Sequence, residues 1–257
     1  MTASLHKLYL SEVKEEKRKF PEQATEVITE QDIKFLPEPV KRFFETGGYL
    51  GRPKHSRAFI RWEKAALRFS PNQAAKAIEC YQFNSVPEPC RIVYMKSRVF
   101  GFLPFAGRDK YQNGQGNMLI KLLDLFTIQD VKGPEMNASA LVTVLAEAFL
   151  VPSYALQNYI VWTPLNSRSA QAAIAFKGTE ISGIFYFDNS GDPVRFETED
   201  RYFSEKDSTF KKIRWSAEMG FSDRNGIRTP AEVKATWHLP SGDFNYFTGL
   251  ISDIEFG

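Results

Sequence analysis

Asn137-Ala138-Ser139-Ala140-Leu141-Val142-Thr143-Val144-Leu145-Ala146-Glu147-Ala148-Phe149-Leu150-Val151 is the stretch whose reading decides the fold. Leu141, Val144, Leu145, Ala148 and Phe149 recur at helical spacing. Asn137 or Ser139 can cap the start, and Pro152 ends the far side. Glu147 is its only charge. A helix that is apolar nearly all round must be buried on more than one side.

On either side of this helix the period changes to two. Ala58, Ile60 and Trp62 alternate with Phe59, Arg61 and Glu63. Further strand-like runs cover 77–83, 91–100, 109–112 and 118–128 before the helix. After it they cover 160–163, 169–176, 181–188, 194–203, 213–221, 232–239 and 247–254. Turn signals separate the runs: Pro87-Glu88-Pro89, Leu103-Pro104, Asn113-Gly114, Asn189-Ser190-Gly191-Asp192, Asn225-Gly226 and the weaker Ser241-Gly242-Asp243. The pattern predicts roughly ten to twelve strands in an antiparallel meander. The fold class is α+β and mainly antiparallel β. The expected architecture, which a fold resemblance given below implies, is an open or half β-barrel with the apolar helix inserted mid-chain against its concave face. Upstream, Pro37 and Pro39 open a short helix with Val40, Phe43 and Phe44 on one face, and Gly47-Gly48 stops it. Residues 1–32 read as a charged N-terminal extension or helix, and 33–257 as a single β-rich half-barrel domain.

Composition narrows the function. The 257 residues carry 33 Lys+Arg against 31 Asp+Glu, a net +2, so no nucleic-acid partner is expected. With 43% hydrophobic residues the chain has enough apolar material to offset its ordering entropy. The 22 Phe, 10 Tyr and 4 Trp point to a greasy interior. No apolar run reaches 18 residues, so no transmembrane segment is expected in this chain. The opening residues lack a signal-peptide core, and the chain reads as cytoplasmic as written. Cys80 and Cys90 make no disulfide framework, and His6, His55 and His238 have no metal-ligand spacing. The phosphate-loop, dinucleotide and nucleophile-elbow patterns are missing. No metal or cofactor is expected.

Several ordered motifs resemble an uncharacterised bacterial family, a domain of unknown function. They are Leu36-Pro37-Glu38-Pro39-Val40, Gly107-Arg108-Asp109-Lys110-Tyr111 with Gly114 and Gly116, Gly133-Pro134-Glu135-Met136, Ser182-Gly183-Ile184-Phe185-Tyr186-Phe187-Asp188, Trp237-His238-Leu239-Pro240-Ser241-Gly242-Asp243-Phe244 with Tyr246-Phe247, and Asp253-Ile254-Glu255-Phe256. The resemblance covers roughly residues 33 to 257 and implies no catalytic residues. The order of elements also resembles the lipoprotein-carrier half-barrel of the LolA/LolB type, where a curved sheet wraps a hydrophobic concavity plugged by helices.

The candidate ligand-binding residues are Phe100, Phe102, Phe105, Arg108, Leu145, Glu147, Phe149, Trp162, Trp237, His238, Phe244 and Tyr246. Most are the aromatic and apolar groups that a concave face would offer to an acyl chain. Arg108 could anchor an acidic head group bidentately. Glu147, alone in an apolar helix, needs a salt bridge, to Arg108 or Arg195, or a role in ligand contact. These residues favour a non-enzymatic binding or carrier protein for an apolar small molecule, lipid or acylated partner. Two alternatives stand beside it. One is a hydrolase-like enzyme using His238 with Asp243 or Glu232. The other is a structural or interaction scaffold with a filled core. The oligomeric state is not written in the sequence.

Overall fold

The computed structural model describes residues 4–20, 26–99, 102–205 and 209–257. Three helices come first: α1 (Leu5–Lys19), α2 (Glu30–Ile33) and α3 (Glu38–Thr46). Seven strands follow: β1 (Arg57–Leu67), β2 (Lys76–Ala77), β3 (Glu79–Ser85), β4 (Cys90–Val99), β5 (Leu103–Gln112), β6 (Gln115–Leu122) and β7 (Phe126–Val131). Next come α4 (Pro134–Ala146) and a 3-10 turn (Pro152–Leu156). The chain closes with β8 (Ile160–Asn166), β9 (Ser169–Phe176), β10 (Thr179–Phe187), β11 (Pro193–Thr198), β12 (Tyr202–Ser204), β13 (Phe210–Lys212), β14 (Trp215–Arg224), β15 (Ile227–Leu239) and β16 (Gly242–Phe256).

Two meanders make one antiparallel sheet. Its order is β7-β6-β5-β4-β3-β1-β16-β15-β14-β11-β10-β9-β8, with β2 added beside β1. The first strand pairs with the last, Ile60 opposite Ile254, and this zips the halves together. β12 and β13 form a separate hairpin. The alternating runs thus form the expected mainly antiparallel sheet.

Helix α4 reports how far that sheet curls. It packs against both β6 and β10. Eight strands lie between those two in the sheet. Laid flat, β6 and β10 would stand roughly 43 Å apart at ~4.8 Å per strand, far beyond the ~10 Å width of a helix. The sheet therefore wraps around α4, and the half-barrel expectation holds with the helix on the concave face. At Gly116 a Cβ would lie 2.2 Å from the Met136 carbonyl oxygen, so only glycine lets β6 approach α4 so closely. The Asn137 side chain accepts from the Gly116 amide (2.8 Å), tying helix to strand.

The boundaries differ from the sequence reading in four places. The helix runs Pro134–Ala146 rather than 137–151, because Pro134 opens it after Gly133. Asn137 and Ser139 are therefore not its caps; Ser139 Oγ accepts from the Tyr202 amide instead. The run 118–128 is two strands, β6 and β7. Leu123 and Asp124 take φ of 56° and 57° between them, a turn with no glycine to signal it. The run 194–203 is also two strands, broken at a bend after Thr198. Leu103-Pro104 lies inside β5, with Pro104 opposite Arg98. Counting β2 and the separate hairpin, the described residues form sixteen strands, more than the ten to twelve expected.

The charged N-terminus is an ordered helix on the convex face. Leu5, Tyr9 and Val13 of α1 pack on Phe83, Ile92 and Tyr94. Glu12 takes Lys110 (2.6 Å) and Arg108 (3.3 Å), and Glu16 accepts from Gln112 (2.9 Å). Among the described residues no helix is long and apolar enough to cross a membrane.

Candidate functional site: a cavity under α4

Alternation along the strands aims one residue in two at the concavity. From β14 come Trp215, Ala217 and Met219; from β15, Val233, Ala235 and Trp237; from β4, Arg91, Val93 and Met95. These and their neighbours on β1, β3, β5, β6 and β16 surround a cavity of about 390 Å³. Thr143, Ala146, Glu147 and Leu150 form its helical wall. Most of the lining is apolar or aromatic, as in small-molecule pockets, and the volume falls near the lower end of their ~300–1,000 Å³ range.

Two clusters of polar groups in the cavity wall matter most for its chemistry. The first is Glu147, which follows the last turn of α4, where the helix dipole disfavours a carboxylate. Arg91 Nε donates to Glu147 Oε1 (2.7 Å). Gln82 Nε2 (2.8 Å) and Asn84 Nδ2 (3.0 Å) donate to Glu147 Oε2. Arg91 Nη1 also meets Asp109 Oδ2 (2.7 Å). Burial works against the Arg91 charge, but Glu147 and Asp109 outweigh it and hold its pKa above the ordinary arginine value. Nearby, burial pushes the Cys80 thiol up to about 12.

The second is Arg201. Its guanidinium stacks 4.4 Å from the Trp215 ring centre and 5.4 Å from that of Trp237. Nη1 donates to Thr143 Oγ1 (2.6 Å), one helical turn before Glu147. Arg201 Nε and Trp215 Nε1 are buried with no hydrogen-bond acceptor among the described residues.

Five of the candidate residues line this cavity: Phe105, Glu147, Trp237, Phe244 and Tyr246. The others lie elsewhere. Phe100 is outside the described residues. Phe102 is exposed to solvent at the β4–β5 end of the sheet. Leu145 is fully buried in the core. Phe149 and Trp162 pack with Phe185 in the other half of the interior. Arg108 points to the convex face, one residue out of phase with Gly107 and Asp109, and is held there by Glu12 and Asn117. Glu147 does form a salt bridge, to Arg91 rather than to Arg108 or Arg195.

His238 also faces away from the cavity. Its Nδ1 meets Asp243 Oδ1 (2.7 Å) and its Nε2 meets Ser216 Oγ (2.9 Å). These are the distances of a serine–histidine–aspartate relay. Ser216 is fully buried, however, and neither it nor His238 lines the cavity. Glu232 is no partner: it is exposed and six residues along β15, roughly 20 Å from His238 at ~3.3 Å per residue.

Sequence reasoning missed Arg91, Arg201 and the wall residues Trp62, Met95 and Met219. The signal for Arg91 was the alternation of β4 with Val93 and Met95. Arg201 gave none. On an unbroken strand it shares a face with Arg195 and Glu197, which form a surface ion pair. The bend after Thr198 resets the alternation and turns Arg201 inward. Asp200 fixes that bend by accepting from the Ser182 amide (2.9 Å).

Fold and site together define a curled antiparallel sheet that closes over one helix and keeps a mostly apolar cavity beside it. The chain belongs to a family of unknown function, DUF6544, whose pattern spans residues 26–249. No curated protein matches the chain. Two solved structures are similar at low identity. One is a domain assigned to outer membrane lipoprotein sorting from Vibrio parahaemolyticus, 11% identical, covering 78% of this chain and 85% of its own, with a TM-score of 0.40. The other is a DUF1329 family protein from Desulfovibrio piger, 9% identical, covering 90% and 94%, with a TM-score of 0.42.

Proposed function

We propose that the protein binds or carries an apolar ligand, a lipid or an acylated group, in the cavity under α4 and without covalent chemistry. One observation carries this reading: about 390 Å³ of space stays open beside a core packed with the protein's own aromatic rings. Burial of a chain there contributes roughly 0.8 kcal/mol per CH₂. The cavity wall includes three methionines, Met95, Met118 and Met219, whose unbranched side chains adapt to differently shaped ligands.

The test is native mass spectrometry of the purified protein, with displacement of a fluorescent fatty-acid probe. The wild type is expected to bind the probe, and Ala217→Phe, which fills the cavity from β14, to lose binding at least tenfold with the fold retained. Equal binding by both proteins would overturn the reading.

A second reading, a hydrolase built on Ser216, His238 and Asp243, rests on the two relay distances. The burial of Ser216 argues against it, since its hydroxyl has no room for a substrate carbonyl. Labelling of Ser216 by a fluorophosphonate would favour this reading over the carrier.

A further inference from the structure

Resting on the binding reading above, we propose that the ligand is an anionic amphiphile whose carboxylate or phosphate head is held by Arg201. The cavity wall carries four cations, Arg68, Arg91, Lys96 and Arg201, but only two carboxylates, Asp109 and Glu147. Both carboxylates are committed to Arg91. Lys96 pairs with Glu79 (2.9 Å), and Arg68 donates to the Pro71 and Gln73 carbonyls. Neither Arg68 nor Arg201 has a carboxylate partner among the described residues, and Arg68 is taken up by those carbonyls and by the Phe244 ring.

Its setting is built for an anion. The faces of Trp215 and Trp237 hold the guanidinium by cation–π contact, and this fixes its plane without neutralising it. Thr143 takes one N–H and leaves the others free. Arg201 Nε and Trp215 Nε1, both buried, are left without an acceptor among the described residues, so the stack holds unspent donors. A planar fork with free donors beside an apolar cavity matches a carboxylate or phosphate joined to a hydrocarbon chain. At about 390 Å³ the cavity suits one chain rather than several.

The experiment compares tetradecanoate, monotetradecyl phosphate and tetradecanol by isothermal titration, with acetate and inorganic phosphate as head groups alone. Wild type, Arg201→Gln and Arg201→Lys are measured, with thermal melts confirming that each variant is folded. One or both of the anionic chains are expected to bind at least tenfold tighter than the alcohol, the scale of a charge-assisted hydrogen bond. That preference should fall below about threefold in Arg201→Gln and recover in part in Arg201→Lys. Which anion binds tighter assigns the head group. If all three chains bind wild type equally, the Arg201 assignment fails while the cavity reading stands. If none binds, both fail. Should the preference survive in a folded Arg201→Gln, the head group is held elsewhere and the assignment is overturned.

Discussion

The two halves of the concave face are built from the same alternation yet end differently. Under β8–β11 the interior is solid. Phe149 sits there with Phe43, Phe185, Phe187 and Trp162 at ring distances of 4.8 to 5.8 Å, mostly edge to face. Ala170 and Ala172 are small enough to let those rings in. At Gly183 an added Cβ would lie 2.2 Å from the Phe196 ring. Under β1, β3, β4 and β14–β16 the same sheet stands off from the helix. There the helical segment presents Thr143, Ala146, Glu147 and Leu150, with no ring among them, and the cavity remains. The difference teaches that a helix apolar all round can still be asymmetric in volume. The turn that follows α4 sends Phe149 into one half of the curl, while Thr143, Ala146, Glu147 and Leu150 leave the other open.

Removing a ring from the solid half should have the largest effect. Phe149→Ala is expected to lower stability by about 3–5 kcal/mol, as Phe-to-Ala changes in packed cores do. Met219→Ala in the cavity wall should cost less than about 2 kcal/mol, because its neighbours already lack partners on one side. Denaturant unfolding of the pair measures both, and equal losses would erase the distinction between the halves.

Next comes the charge cluster of the open half. Glu147→Ala leaves Arg91 with Asp109 alone, and the expected loss is about 3 kcal/mol, the lower end for breaking a buried ion pair. Replacing Glu147 and Arg91 together by Leu and Met leaves Asp109 without its cation, so the double variant should lose less than the sum of the two single losses yet stay below wild type. A double-mutant cycle reads the coupling, and additive losses would show the pair to be independent.

On the convex side the effect is smaller. His238→Ala removes the hydrogen bonds to Ser216 and Asp243 and is expected to cost about 1–2 kcal/mol. A fluorophosphonate probe should leave the wild type unlabelled, consistent with a relay that braces β14, β15 and the β15–β16 turn. The smallest signal is chemical. Burial raises the pKa of both thiols, and that of Cys80 reaches about 12, so neither should react with a disulfide reagent at pH 8 until the protein unfolds. Cys80 lines the cavity and Cys90 does not. Reaction of Cys80 alone in the folded protein would mean that the open half breathes.

Legibility followed the range of the interactions. The β16 turn shows the local case, since Asp243 sits opposite His238 across it and both are close in sequence. The Glu147 partner shows the other. Its need for a cation followed from one carboxylate in an apolar helix, but the cation came from β4, 56 residues away. Phe102 and Phe105 were alike in sequence, and one is exposed while the other lines the cavity. Arg108 was read onto the wrong face by one residue, which is all that separates the concave from the convex side of a strand.

The sequence by itself determined the antiparallel meander, the mid-chain helix and its burial, and the family, because period and turn chemistry are set by neighbouring residues. Only the tertiary structure decided which sheet face is concave, where the space is left and which arginine meets it. Those depend on the curl of the sheet, on the volume that α4 and the turn after it present to each half, and on a single bend after Thr198, and each of these is fixed by contacts between residues far apart in the chain.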